Sequence, residues 1–417
     1  MLRRHPHRSR TEIARQTGLT RGAVSRITAE LLEEGLVVEE GSRRSTGGRP
    51  QTRLRLNNNS MFAIGADVNM WETRFALADL GGKIVQEHTV PTPSNPKDTL
   101  DLIATHVNEL LRGRKRESIE GIGVSAPGVV NRRSGEVDLG FTPEWNHWRV
   151  SAELERRLKL RVCVENSTRS ASLAEYYYGS PEIRGSQCLL YIRVDEGIGV
   201  GILLNGALYY GPQMAAGEFG QMIVSDKPGL SEHFIPGCLE QLAANPETCA
   251  RYRQRRGETA LKGLASFRES AAQVRAICCA ANRGDSTAVG VIRQTAEALG
   301  RGIHNLVWIF NPDTVVVNGA IVDSWPLVRE TVLKAFPRGE DFFNFRKLNF
   351  RPSSLGEHAA LMGSVALPFH SLFLTGRRAG PESGKNGARG RGDTELPLWP
   401  QLMGAEPVGP QPEVNLT

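Results

Sequence analysis

Among the polar side chains of this 417-residue chain, Asn166, Glu218, Gln221 and Glu240 are of types that can hydrogen-bond hydroxyl groups. A carboxylate can accept from two neighbouring hydroxyls, and an amide both donates and accepts. Beside Asn166 stands Ser167. Chemistry on a bound hydroxyl needs a general base near neutral pH, and a serine hydroxyl is far too weak a base to take that proton. No catalytic residue is assigned. A different chemistry is written at the N-terminus. Residues 1–56 hold twelve arginines, no lysine and six glutamates, an excess of six that equals the net charge of +6 of the whole chain. A basic excess confined to one short segment is the electrostatic footprint of nucleic-acid binding.

Both sets need elements to position them. Ser9-Arg10-Thr11-Glu12 is a capping box that opens a helix, and Gly18 suits its end. Thr20 is the N-cap of a second helix that carries Val24, Ile27, Leu31 and Leu32 on one side. Ala14, Gly18 and a buried Leu19, Val24 and Ile27 form the skeleton of a helix-turn-helix. Its second helix then presents Thr20, Arg21, Gly22, Ser25 and Arg26 at the end where base edges are read. Residues 35–40 read as the start of a β-wing. Such a core needs a helix before this pair, and Met1 to His7, with Pro6, is too short to form it. Either that first helix is a stub or the true start codon lies upstream, and Leu2-Arg3-Arg4, which reads as the tail of such a helix, favours the second. The segment 42–50 is a basic, Gly-rich linker whose Arg49 could reach a minor groove, though by composition it is an ordinary solvated linker.

From residue 61 strands alternate with helices. Strands are expected at 61–68, 75–80, 83–90, 121–130, 161–165, 189–194, 199–204 and 314–318. Helices are expected at 99–111, 150–158, 170–178, 270–282 and 287–310. This is the α/β rhythm of two lobes with a cleft between them. The expected units are a reader with its linker at 1–56, a body at 61–373 with lobes of about 61–180 and 181–373, and a tail at 374–417. Residues 375–417 hold eight Gly and six Pro, a composition that buries no core and is expected to be disordered. The six cysteines show no framework spacing, and neither a signal peptide nor an apolar run of about 18 residues appears, so a cytoplasmic protein with reduced thiols is expected.

These residues resemble the ROK (repressor, open reading frame, kinase) proteins of the actin-like ATPase superfamily. The matching landmarks are Thr46-Gly47-Gly48-Arg49-Pro50, Gly123-Val124-Ser125-Ala126-Pro127-Gly128, Glu165-Asn166, Ala216-Gly217-Glu218-Phe219-Gly220 and Gly237-Cys238-Leu239-Glu240, followed by Asn311-Pro312, Val317-Asn318-Gly319 and Met362-Gly363-Ser364. The resemblance runs from about residue 9 to residue 373 and points to the regulator branch. It implies a two-lobed fold, a homodimer or homotetramer, and a monosaccharide-type ligand between the lobes held by Asn166, Glu218 and Glu240.

The departures from the family carry as much as the matches. Family kinases place an aspartate base where Ser167 stands. Their first phosphate loop has glycines where this chain has Val68-Asn69-Met70-Trp71, and their second reads Gly-Thr-Gly where this chain has Asp195-Glu196-Gly197. Their zinc site uses a His where Gln221 stands and three cysteines, of which Ser231 and His233 replace two and Cys238 remains. No nucleotide cofactor and no metal are expected. The chain is read as a repressor whose α/β domain, a retired kinase, senses a carbohydrate and whose reader binds double-stranded operator DNA. Two alternatives stand beside it: a working sugar kinase with an attached reader, and a regulator with a relic pocket governed by a protein partner.

Overall fold

The computed structural model describes residues 2–3, 5–41, 52–140, 142–230, 235–257, 270–336 and 347–375. Arg49 and the rest of the linker, Ser231, His233 and the tail from 376 onwards lie outside them.

The reader is built as its caps dictate. Helix α1 (Arg10–Thr17) opens on Ser9, whose hydroxyl accepts from the Glu12 amide while the Glu12 carboxylate accepts from the Ser9 amide, and it ends on Gly18 in the left-handed conformation. Helix α2 (Arg21–Glu33) opens on Thr20, whose Oγ1 accepts from the Ala23 amide at 3.2 Å. The wing is a three-stranded antiparallel sheet of β1 (Arg8–Ser9), β3 (Arg53–Leu56) and β2 (Val37–Glu40), in that order. The return strand β3 was not foreseen, because its alternating Arg and Leu sit against the linker in sequence. Ala14, Val24 and Thr28 are buried. Leu19 and Ile27, expected in the core, are 45% and 40% exposed. The correction has a simple cause: among the described residues no third helix packs over them.

Two five-stranded sheets make the body, and they share one topology. In the first, the meander β4 (Phe62–Val68), β5 (Glu72–Asp79), β6 (Ile84–Pro91) is continued on the other side of β4 by the parallel strands β7 (Ile119–Ala126) and β10 (Val162–Asn166). A small hairpin, β8 (Val129–Asn131) with β9 (Glu136–Leu139), stands after β7. In the second, β11 (Cys188–Val194), β12 (Ile198–Leu204) and β13 (Ala207–Leu208) form the meander, and β14 (Thr314–Asn318) and β15 (Asn349–Pro352) the parallel pair. Helices α3 (Pro96–Leu111) and α4 (Val150–Leu158) pack against the first sheet through Ile103, Val107 and Leu154. Helices α6 (Leu239–Ala243), α7 (Asn245–Arg256), α8 (Ser270–Asn282), α9 (Ser286–Phe310) and α10 (Trp325–Leu333) share one core with the second.

Two helices join the lobes. Helix α5 (Ser167–Tyr178) packs against β11 and β12, and α11 (Ala359–Thr375) lies on β4 and β7 and against α5. The chain after residue 181 therefore does not stay in one lobe: its last helix returns to the first sheet. Glycines make that return possible. Gly65 and Gly123 face each other across β4 and β7, and a Cβ on Gly123 would stand 1.8 Å from the Ser364 carbonyl oxygen. A Cβ on Gly363 would stand 2.1 Å from the Ser170 carbonyl oxygen. Backbone thus meets backbone where any side chain would hold the layers apart.

The reader docks on this body. Leu36 is buried in one cluster with Met61, Leu361, Val365 and Phe369. The Asn57 side chain donates to the Gly35 carbonyl at 2.9 Å. Arg3 donates to the Tyr177 carbonyl at 2.7 Å and lies 4.3 Å over the Tyr177 ring.

Candidate functional site

The two hairpin turns that end β4 and β11 are topological equivalents, and they face one cavity. It has a volume of about 710 Å³ and is lined by Asp67, Trp71, Asn166, Arg193, Glu218 and Glu240 among others. That size suits a small organic molecule. Ligands of α/β sheets collect at such places, beyond the carboxyl ends of parallel strands.

Each wall has a local cause. In the first turn the Asn69 side chain accepts from the amides of Trp71 and Glu72, both at 2.9 Å, and the Asn69 amide donates to the Glu72 carbonyl. The turn therefore uses its own N–H groups internally. In the second turn Asp195 pairs with Arg193 at 2.8 Å, and Ser270 donates to Glu196. Burial pushes the Glu196 carboxyl up, and neighbouring Asp195 adds to the shift. Asp67 is buried, and its loss of water raises its pKa against the pull of Arg193 and of Ser125, whose hydroxyl donates to it at 2.8 Å.

The polar set named from the sequence is divided between structure and cavity. Asn166 ends β10 and caps α5: its Oδ1 accepts from the Thr168 and Arg169 amides at 2.9 and 3.2 Å, and its Nδ2 donates to the Gly128 carbonyl at 2.8 Å. One Nδ2 hydrogen is left to face a ligand. Ser167, the first residue of α5, lines the same wall. Buried Glu165 at the end of β10 and Arg169 in the first turn of α5 form an ion pair at 2.7 Å, and Arg169 also donates to the Met214 and Val130 carbonyls. Glu240 accepts from the Ile198 amide at 2.7 Å. Its pKa is raised by burial and then by Glu218, which outweigh that hydrogen bond. The Glu218 carboxyl is raised by the crowding of the cleft walls, with Arg169 pulling the other way. Gly197 and Gly220 leave the room Glu240 needs, since a Cβ on either would meet its carboxylate under 3.0 Å.

At the other end of the molecule α2 turns Val24 and Thr28 inward and leaves Arg21, Gly22, Ser25 and Arg26 exposed. Thr20 spends its oxygen on the cap, which leaves its hydroxyl proton free to face a phosphate.

The sequence pattern of the ROK family matches residues 63–370, nearly three-quarters of the chain. This chain belongs to the ROK family. The pattern of the MarR family matches residues 1–45, the winged helix-turn-helix. The chain is 31% identical to the DNA-binding transcriptional dual regulator NagC of Escherichia coli (strain K12) over 76% of its own length and 77% of that protein. It is 25% identical to the xylose repressor of Bacillus subtilis (strain 168) over 86% and 90%. The crystal structure of a ROK family transcriptional regulator, a homologue of the E. coli MLC protein, superposes with a TM-score of 0.74 at 22% identity, covering 89% of this chain and 94% of that one. The architecture is thus a MarR-type reader followed by the two-lobed, actin-like ROK fold.

In this ROK protein the cavity brings together Asn166, Ser167, Glu218 and Glu240. Gln221 is a correction: it is exposed in the turn beyond Glu218 and is not among the lining residues. The short helix Phe219–Gln221 carries its side chain past the wall that Glu218 occupies. Cys238 is buried, and its sulfur caps α6 by accepting from the Gln241 amide at 3.4 Å. Sequence reading missed Arg193 as a cavity residue. Strand alternation carries the only signal: Arg193 shares a face with Tyr191 and Asp195, and nothing in the sequence says which face meets the cleft.

Proposed function

We propose that this ROK protein is a transcriptional repressor that binds double-stranded operator DNA through α2, and that its body senses a monosaccharide-type effector without transferring phosphate. The observation that carries the reading is the course of α5. The helix starts at the cavity with Ser167 and reaches, about 15 Å on by helical rise, Tyr177 in its last turn, where Arg3 of the reader sits. One rigid element thus touches both the effector site and the reader.

The relatives support the regulatory half. NagC is named a DNA-binding regulator, and the B. subtilis protein a xylose repressor. Three features speak against phosphoryl transfer. Ser167 supplies no base. The amides of Trp71 and Glu72 are taken by Asn69, so they do not cradle phosphate. Asp195 and Glu196 place carboxylates at the second turn. The chemistry left is recognition of hydroxyls by Glu218 and Glu240, with Asn166 contributing one amide hydrogen. The wall carries more carboxylates than arginines, so the effector is an uncharged or cationic sugar rather than a sugar phosphate.

Coupling follows from a change of lobe angle. An effector shifts that equilibrium only by its differential affinity for the two angles. A tenfold effect on operator affinity needs about 1.4 kcal/mol, within the usual range of coupling. In a homodimer or homotetramer the angle sets the spacing of two readers against half-sites about 34–36 Å apart. The protein works in the cytoplasm, where its DNA is. The test is a thermal-shift screen of monosaccharides, then titration of the best hit into a preformed DNA complex. A hit should release DNA, and Glu240→Ala should abolish its stabilising shift. Equal stabilisation of wild type and Glu240→Ala would misplace the site, and a screen with no hit would leave a relic pocket.

A further inference from the structure

We propose that His88, His106 and Glu109 form a divalent-cation site of the zinc type on the outer face of the first lobe, tying the edge strand β6 to α3. The site is separate from the cavity and from the Cys238 loop where the family pattern would put zinc. The expectation of no metal concerned the Cys238 loop, and His88 and His106, eighteen residues apart, form no ligand spacing along the chain.

The geometry is specific. His106 and Glu109 lie three apart on α3, and so share a face. His88 reaches them from β6. Its Nε2 is 3.0 Å from His106 Nδ1, and Glu109 Oε2 is 2.9 Å from the same nitrogen. The ligating atoms of all three lie within 4.8 Å of one another. A tetrahedral ion with nitrogen ligands at about 2.0–2.1 Å spaces its ligand atoms by roughly 3.3 Å, so the three need only part slightly to admit it.

Protons serve this arrangement poorly. His106 Nδ1 faces two atoms that each carry a lone pair. A ring proton on Nδ1 can lie along one of the two contacts, and the other is then weak. A proton donated by His88 to Nδ1 leaves the Glu109 oxygen facing a lone pair. A cation at the centre satisfies all three at once. Two imidazoles and one carboxylate are a ligand set for zinc or its transition-metal neighbours, not for calcium or magnesium. Phe75 stacks on the His88 ring at 5.2 Å and lies tilted against the His106 ring at 5.1 Å, which restricts the orientation of both.

A second group of ligand-type side chains among the described residues, Glu136, Asp138 and His147, has Arg149 within ion-pair range of Glu136 and serves as the control. The experiment uses the full chain with the exposed Cys279 replaced by serine. Zinc is titrated by calorimetry, and cobalt(II) by its visible spectrum, into this protein and into its His88→Asn, His106→Gln and His147→Gln variants. We expect one equivalent of zinc with a tetrahedral cobalt spectrum, a loss of at least tenfold in affinity in both His88→Asn and His106→Gln, and no change in His147→Gln. Circular dichroism confirms that each variant is folded. Zinc should raise the Tm of the parent and not of the two variants. Equal affinity in the parent and in either variant, or an octahedral cobalt spectrum throughout, would overturn the proposal.

Discussion

Replacing Arg26 by alanine should separate base reading from simple attraction to DNA. On α2, Arg26 lies roughly 180° around the helix from the midline of the buried Val24 and Thr28. It is exposed, so the change should alter folding stability by no more than about 0.5 kcal/mol. If its guanidinium grips a guanine edge, the loss is about 1–3 kcal/mol per half-site, which is roughly five- to 150-fold in affinity. If it touches only phosphate, binding weakens equally on every sequence and the slope of log K against log salt falls by about 0.9 per contact. The assay is fluorescence anisotropy on an operator found by footprinting and on a scrambled duplex, at about 50 and 200 mM salt. We expect Arg26→Ala to lose at least tenfold more affinity for the operator than for the scrambled duplex. Arg21 sits at the first turn, nearer the buried stripe, and its alanine variant should show the larger relative change in salt slope. Unchanged operator affinity in both variants would remove α2 from the reading role.

Further outcomes follow from the body. Ser167→Asp should not produce sugar-dependent ADP release in a coupled assay with common hexoses and amino sugars, because the Asn69 turn still consumes its own amides; clear ADP release would sink the retired-kinase reading. His370 is buried and accepts from the Tyr177 hydroxyl at 2.7 Å, and burial drives its pKa down to about 3. The folded state then binds fewer protons than the unfolded chain between about pH 6.5 and that value, so the stability it contributes is complete above pH ~6.5 and is lost as pH falls. His370→Gln should flatten the acid limb of Tm against pH, and an equally steep limb would point to another group. Gly123→Ala forces a methyl against the Ser364 carbonyl and should cost about 1–3 kcal/mol or more, read as a lowered denaturation midpoint; an unchanged midpoint would show that α11 can shift away at no cost.

Local rules wrote much of this protein into its sequence. The capping box at Ser9, the Thr20 cap and Gly18 each act within four residues, so both reader helices were legible. The helices Val150–Leu158 and Ser270–Asn282 and the strand Thr314–Asn318 followed from apolar period alone. Family landmarks located Asn166, Ser167, Glu218 and Glu240. What the sequence could not decide are contacts between residues far apart along the chain. Leu19 and Ile27 have core-like residue types, but their burial depends on a partner helix. Gly123 and Gly363 stood in the sequence only as family landmarks, and the return of α11 to the first sheet shows that they let backbones touch. Asn166 looked free to bind sugar, and the fold spends most of its hydrogen-bonding capacity on capping α5 and holding Gly128. His88 and His106 meet because an edge strand lies under a helix. Spacing along a chain fixes which residues share an element's face, and packing alone fixes which faces meet.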